Sequence, residues 1–340
     1  MDGLPVTRRR RIPLRVAAAA AVLGVAGSCS TGTVGGSDGP ASSTATLVPT
    51  APVTAEISQF RDNYSKQIIE IQLTNTTDAP LTVLGAALTS PLFEAPITWP
   101  PRNGGIELPP GQTKSLPAPL PAPECGFPSP APSGPGTASG TDTGTAFVSL
   151  RLAVPQGAGS TGTGQQGTSQ QATAPPLEDA TAPAADPFGV LARNNSEMCL
   201  SRAASAVAAV ALAPDLEVAT DGRTGVVRLL IKPRAAGGAG AGSAGELVID
   251  RIEETTLLAE APQAPWPHTL TLRTGGPQAE MRLGIRPARC DPHAVAEDKV
   301  GTLLPLRVRV AGREGVLKID AGNRLRGRIY DFVTKACGRQ

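Results

Sequence analysis

From residue 53 onward, apolar positions come in short runs that alternate with polar ones. In KQIIEIQLTN, residues 66–75, the alternation runs over Ile69, Ile71 and Leu73, with Ile68 as an extra apolar position. TTDAP then supplies turn residues and LTVLGAAL opens the next run. IELPPGQTKSL sets Pro-Pro-Gly between two apolar runs, where proline presets φ and glycine permits φ above zero. Further on, LEVATDGRTGVVRLLI carries Asp-Gly in its turn and is followed by TLTLRTGGPQAEMRLGI. Many short strands at this spacing predict an all-β chain built as antiparallel sandwiches. Two segments have a helical pattern, 187–207 (PFGVLARNNSEMCLSRAASAV) and 323–337 (NRLRGRIYDFVTKAC).

The strand pattern is used twice. LTVLGAALTSPLFEAP (81–96) aligns without a gap on LVIDRIEETTLLAEAP (247–262), with identical residues at Leu81/Leu247, Thr89/Thr255, Leu92/Leu258, Glu94/Glu260, Ala95/Ala261 and Pro96/Pro262. Trp99 and Trp266, the two tryptophans of the chain, follow in each copy. With an offset one residue smaller, Gly111 meets Gly276, Leu116 meets Met281, Leu120 meets Ile285 and Cys125 meets Cys290; SLRLAV (149–154) later resembles PLRVRV (305–310). The expectation is two copies of one domain, 53–200 and 214–340, joined by a linker at 201–213. LTNTTDAPLTV followed by LPPGQTKSL resembles the Ig-like domains of bacterial surface proteins. The resemblance implies two Ig-like β-sandwiches. Stretches 129–145, 155–185 and 234–245, rich in Gly, Ser, Thr, Pro and Gln, read as surface loops.

The first 28 residues are of another kind. Arg8 to Arg11 and Arg15 form a basic head, Val16–Val25 a short apolar body, and Ala26, Gly27 and Ser28 a small-residue end. That is the layout of an export signal, with an apolar body too short for the ~20 residues of a membrane span. VAGSC, ending at Cys29, resembles the lipobox of bacterial lipoproteins, although Ala26 stands where that family has Leu, Val or Ile. The resemblance implies acylation of Cys29, a partner in membrane lipid, and an extracellular protein held at the outer face of the cytoplasmic membrane. Residues 29–52 read as a flexible tether, about 20 residues reaching roughly 25 Å. The sequence does not choose between general secretion and twin-arginine export.

Charge follows from the same division. The chain has 31 Lys and Arg against 29 Asp and Glu; residues 1–28 hold five of the arginines and one aspartate, leaving 26 basic and 28 acidic. With 3% aromatics, the remainder has neither the basic patch nor the stacking platforms that nucleic-acid binding needs. Four cysteines follow Cys29. An even number outside the cytoplasm reads as disulfides, and the repeat selects Cys125–Cys199 and Cys290–Cys337, one per copy.

Catalytic patterns are scarce. Three G-x-G-x-x-G matches, at 157–162, 162–167 and 240–245, lie in low-complexity stretches with no helix clearly following. His268 and His293 are the only histidines, so a triad has few bases to draw on. No cofactor is expected. The densest polar cluster is CDPHAVAEDK, 290–299, which resembles a segment of uncharacterised actinobacterial exported proteins. There Asp291 would cap a helix opened by Pro292, placing His293 and Glu297 on one face. Asp291, His293 and Glu297 are thus a candidate divalent-metal site, and a metal-handling accessory lipoprotein is the alternative function. Trp99 and Trp266 are candidate anchors for a glycan or an envelope protein, with core packing as the competing reading. The leading expectation is a non-catalytic lipoprotein with a binding or scaffolding role in the cell envelope.

Overall fold

The computed structural model describes residues 51–101, 104–126, 146–153, 177–237 and 245–338. Cys29, the expected signal peptide, the expected tether up to residue 50 and the Gly-rich matches at 157–167 lie outside the described residues. The chain is mostly β. In the first half the elements are β1 (Val53–Ser58), β2 (Ile68–Asn75), β3 (Leu81–Thr89), β4 (Ile97–Trp99), β5 (Ile106–Leu108), β6 (Thr113–Pro119), β7 (Ala146–Ala153), β8 (Leu177–Ala185) and the helix α1 (Val190–Val207). The second half has β9 (Ala208–Leu212), β10 (Glu217–Val218), β11 (Gly225–Pro233), β12 (Glu246–Ile252), β13 (Leu258–Glu260), β14 (Leu270–Arg273), β15 (Ala279–Pro287), α2 (Pro292–Ala296), β16 (Leu303–Val310), β17 (Arg313–Asp320) and α3 (Gly322–Cys337).

The two halves follow one pairing scheme. In the first, β2 lies between β1 and β6, and β7 lies between β3 and β8. In the second, β11 lies between β9 and β15, and β16 lies between β12 and β17. The correspondence holds residue by residue. Val83 pairs with Leu152, and its sequence equivalent Ile249 pairs with Val308. A bulge interrupts the ladder between Val83 and Gly85, and again between Ile249 and Arg251. Leu73 is flanked by Ala55 and Lys114, Ile231 by Val210 and Ala279. Bulges are positional features retained within families, so a shared bulge in a shared register is a sharper likeness between the halves than their sequence identity.

One seam differs. In the first half β1 also pairs in parallel with β8 through Ala55↔Ala184 and Glu56↔Ala185, joining its strands into one sheet that is nearly closed. In the second half no ladder joins β9 to β17 among the described residues, and the two sheets stay separate. There Gly322, at φ 66°, donates its N–H to Asp320 Oδ1 at 2.7 Å, and α3 begins at once.

Two expectations are corrected. Residues 177–185, read as loop, form β8, paired along its length with β7. The small side chains of Ala180, Ala182 and Ala184 pack on the first core, where bulk is not required. Residues 201–213, read as a linker, are the last two turns of α1 and strand β9. Val190 and Leu191 at the start of α1 belong to the first core, while Leu200, Ala204 and Val207 at its end belong to the second. One helix therefore serves both cores.

Disulfides join Cys125 to Cys199 and Cys290 to Cys337, the pairing expected from the repeat. Each ties the segment after the sixth-strand equivalent, β6 or β15, to the helix that ends its half. Glu70 on β2 is 3% exposed. Burial raises its carboxyl above the ordinary range, against a lowering hydrogen bond from Asn63 Nδ2 at 2.9 Å. A raised acid binds its proton more tightly folded than unfolded, so stability falls as pH rises from the ordinary glutamate range through the folded value. Glu70→Gln keeps the acceptor for Asn63 and removes the buried charge. It raises Tm at pH 7, on the order of 2 °C, and loses that advantage at pH 4; thermal melts across pH check this, and a lower Tm at pH 7 would refute it.

Candidate functional site

The richest polar grouping lies where α1 meets β17. The β1–β2 connection carries Tyr64 there, because Gln59 fixes that turn to α1: Asn194 Nδ2 donates to Gln59 Oε1 at 3.0 Å, as does Arg193 Nη2 at 2.8 Å, and Gln59 Nε2 donates to Ile68 O at 3.1 Å. The guanidinium of Arg193 sits 5.4 Å from the centre of the Tyr64 ring, and Lys318 Nζ of β17 sits 5.7 Å from it. Both lie within cation–π range of the ring. Lys318 also pairs with Glu197 of α1 at 2.7 Å.

A groove of about 120 Å³ runs beside this pair, lined by Tyr64, Gln67, Asn194, Glu197 and Lys318 among others. A second groove of about 220 Å³ continues along β17 between Ser205 of α1 and Val210 of β9, and shares Ser201 and Lys318 with the first. The chemistry offered is that of recognition and joining: amides, an aromatic within reach of two cations, and a carboxylate already paired. Serines line both grooves, and neither histidine of the chain is among the lining residues.

Next to this, Asn195 Nδ2 donates to Leu92 O at 2.6 Å and Glu124 O at 2.9 Å, and Arg313 of β17 donates to Cys125 O. The sequence held a signal for this arrangement. Asn-Asn in a helix interior is poorly favoured unless its amides find partners. In α3 the equivalent positions, counted from the disulfide cysteine, are the buried Phe332 and Val333. Tyr64 carried no such signal, since its partners are more than a hundred residues away.

The residues singled out from sequence fall elsewhere. Asp291 does cap α2, accepting from the His293 N–H at 3.0 Å, and His293 Nε2 lies 3.2 Å from Glu297 Oε1. The three do not form a metal centre: the Asp291 carboxylate is turned to the helix start, and the side chains of His293 and Glu297 stand largely in water. Among the described residues no group of three or more His, Cys, Asp or Glu side chains is arranged to hold a metal. Trp266 is not an exposed anchor. It is 2% exposed, with its indole N–H donated to Gly284 O at 2.7 Å. Trp99 is half-buried at the end of β4, against the first core.

No known sequence family matches the chain, and no curated protein does. Among solved structures, the exo-β-D-glucosaminidase CsxA matches 79% of this chain and 26% of its own at 12% identity, with a TM-score of 0.18. A protein named pT26-6p matches at 11% identity and TM-score 0.16, covering 79% of this chain and 61% of its own. The adhesin InvE of Yersinia pseudotuberculosis matches at 11% identity and TM-score 0.14, covering 79% and 58%. This chain spans about a quarter of the glucosaminidase and under two thirds of the other two. Likeness at these scores bears on neither fold nor activity.

Proposed function

We propose that this chain is an exported lipoprotein, anchored through Cys29, whose two Ig-like β-sandwiches have a non-catalytic binding or scaffolding role in the cell envelope. The observation that carries the reading is the doubled scheme of strands with one disulfide in each half. β1, β2 and β6 lie side by side and β3, β7 and β8 form a second group, a division repeated by β9, β11 and β15 and by β12, β16 and β17, and it resembles the two strand groups of an Ig-type sandwich. Disulfides persist in oxidising compartments, which fits export by the basic-then-apolar N-terminus. Among the described residues no helix is long and apolar enough to cross a membrane, and an acyl chain on Cys29 would supply the hold. Among the described residues the metal-handling alternative has no converging group of three or more donors to draw on.

Metabolic labelling with a fatty acid, combined with membrane fractionation, tests the anchor. The wild type takes up label and sediments with membranes. Cys29→Ala loses the label and either appears in the medium or accumulates with its signal uncleaved. A variant still processed and still membrane-bound would refute the reading.

A further inference from the structure

Aromatic side chains are scarce in this chain, with six phenylalanines and two each of Trp and Tyr. Three of the six phenylalanines nevertheless stand in water. Phe60, Phe147 and Phe188 are 51%, 44% and 69% exposed, and they are the only large apolar side chains left exposed in the first half among the described residues. The topology collects them. Phe60 follows the end of β1 and Phe188 follows the end of β8, and those two strands run parallel at Ala55↔Ala184 and Glu56↔Ala185. β7 runs antiparallel to β8, so Phe147, its second residue, pairs with Pro183 near the same end. At the other end, where β1 begins and β2 meets β6 at Thr74↔Thr113, no large apolar side chain is exposed among the described residues.

The second half closes the same corner with charge. Ala55 lies beside Leu73 as Val210 lies beside Ile231. Counting on from there, and back from Cys199 and Cys337, the counterpart of Phe60 is Asp215 and that of Phe188 is Arg326. Asp215 pairs with Arg324 and Arg328 of α3, each at 3.1 Å, and Arg326 pairs with Asp320 at 2.9 Å. The shared scheme of strands therefore does not require phenylalanine at either position. In the first half the polar groups next to the two rings are engaged. Asp186 accepts from the N–H groups of Val190 and Leu191 at 2.7 and 2.9 Å, and Gln59 is bonded to Arg193 and Asn194. Arg61, Asp62 and Lys66, exposed on the connection that follows Phe60, leave it one positive charge in excess. Neither groove beside α1 includes any of the three phenylalanines. They stand on two turns and a strand face, outside those concave surfaces.

We infer that this phenylalanine corner of the first half dips into the surface of a lipid bilayer. Exposed apolar side chains gathered in one place mark a contact site. Aromatic rings on projecting turns suit a yielding layer, where they sink roughly 5–10 Å to the boundary between headgroups and acyl chains. The choice of lipid as occupant rests on the anchoring proposed above, and gives it a second contact made by the folded chain. The tether expected between Cys29 and β1 reaches roughly 25 Å. The six residues of β1 span roughly 20 Å. An anchored chain of that reach can bring the far end of β1, and the corner with it, to the bilayer that holds Cys29.

Phe188→Trp places a fluorescent reporter in the corner, and Thr113→Trp places one at the opposite end. Each full chain is mixed with phosphatidylcholine vesicles whose acyl chains are brominated, sedimentation shows whether it is bound, and the wild-type emission of Trp99 and Trp266 is subtracted. The emission of Phe188→Trp shifts to the blue and is quenched, while that of Thr113→Trp is not. High salt leaves the difference in place, because apolar burial carries it and charge does not. Adding Phe60→Asp, which installs the residue of the second half, relieves the quenching without moving the thermal midpoint. Absence of quenching in Phe188→Trp, whether or not the chain sediments, or equal quenching at both sites, overturns the inference. A concentration-dependent dimer that is not quenched and is lost on Phe60→Asp would assign the corner to a second copy instead. Failure to label Cys29 with fatty acid defeats the anchor, whereas an unquenched reporter on a labelled, sedimented chain defeats the corner alone.

Discussion

Trp266→Ala lowers the unfolding free energy by about 3–5 kcal/mol, the range for removing a large buried aromatic. Trp266 is 2% exposed, and its neighbourhood leaves little scope for collapse onto the void. Gly284, whose carbonyl receives the indole N–H, already lies so close to the Ala261–Ala264 turn that an added Cβ would meet Ala264 Cβ at 2.6 Å. Trp266→Phe keeps an aromatic ring while removing the indole N–H and part of the volume, so it costs less than Trp266→Ala. Gly284 O also accepts from Ala261 N at 3.0 Å, so it keeps one donor and the hydrogen-bond share of the loss is about 1 kcal/mol. Trp99→Ala costs less than Trp266→Ala, because Trp99 is half-buried. Guanidinium denaturation of the three variants checks the order; equal costs at the two tryptophans would show that they occupy equivalent environments after all.

Replacing Cys125 and Cys199 together by alanine destabilises the protein by about 4 kcal/mol. The bond closes a separation of 74 residues, and restoring that loop's freedom to the unfolded chain accounts for most of the loss. The native state loses little by comparison, since Asn195 still ties α1 to Leu92 O and Glu124 O. The Cys290–Cys337 bond spans 47 residues, and its removal costs nearly as much, because the entropy grows only with the logarithm of loop length. A denaturation midpoint unchanged by either pair of substitutions would overturn this account.

The features legible in the sequence are those set by local chemistry or by the repeat. Asp291-Pro292 announced the start of α2, since an N-cap and a proline at the first helical position act within one turn. The disulfides could be assigned because the copies fixed which cysteines were equivalent. The strand β8 was hidden by its composition: LEDATAPAA is poor in the β-branched and aromatic residues that mark strands. It is a strand because β7 offers a complete edge and a core that takes alanine. The helical pattern reached Val207, the end of α1, but the place of that end in the second core was hidden for another reason. SRAASAV has the small residues of a linker, and only the second core reveals Ala204 and Val207 as buried. The cluster around Tyr64 could not be read at all. Arg193 and Lys318 reach it from distant parts of the chain, and no short-range pattern encodes that meeting.

α3 ends at its disulfide cysteine, whereas α1 continues eight residues past Cys199, as far as Val207. Those residues carry Ala204 and Val207 into the core of the following half. The matter bears on inheritance by recombination. A crossover placed between the halves, after Cys199, would give each daughter chain a core with part of its wall supplied by a stranger. A crossover before residue 190 would take α1 along with the half it completes, yet would strip the first half of Val190, Leu191 and its disulfide partner. The further turns of α1 thus bind the two halves into a single heritable piece.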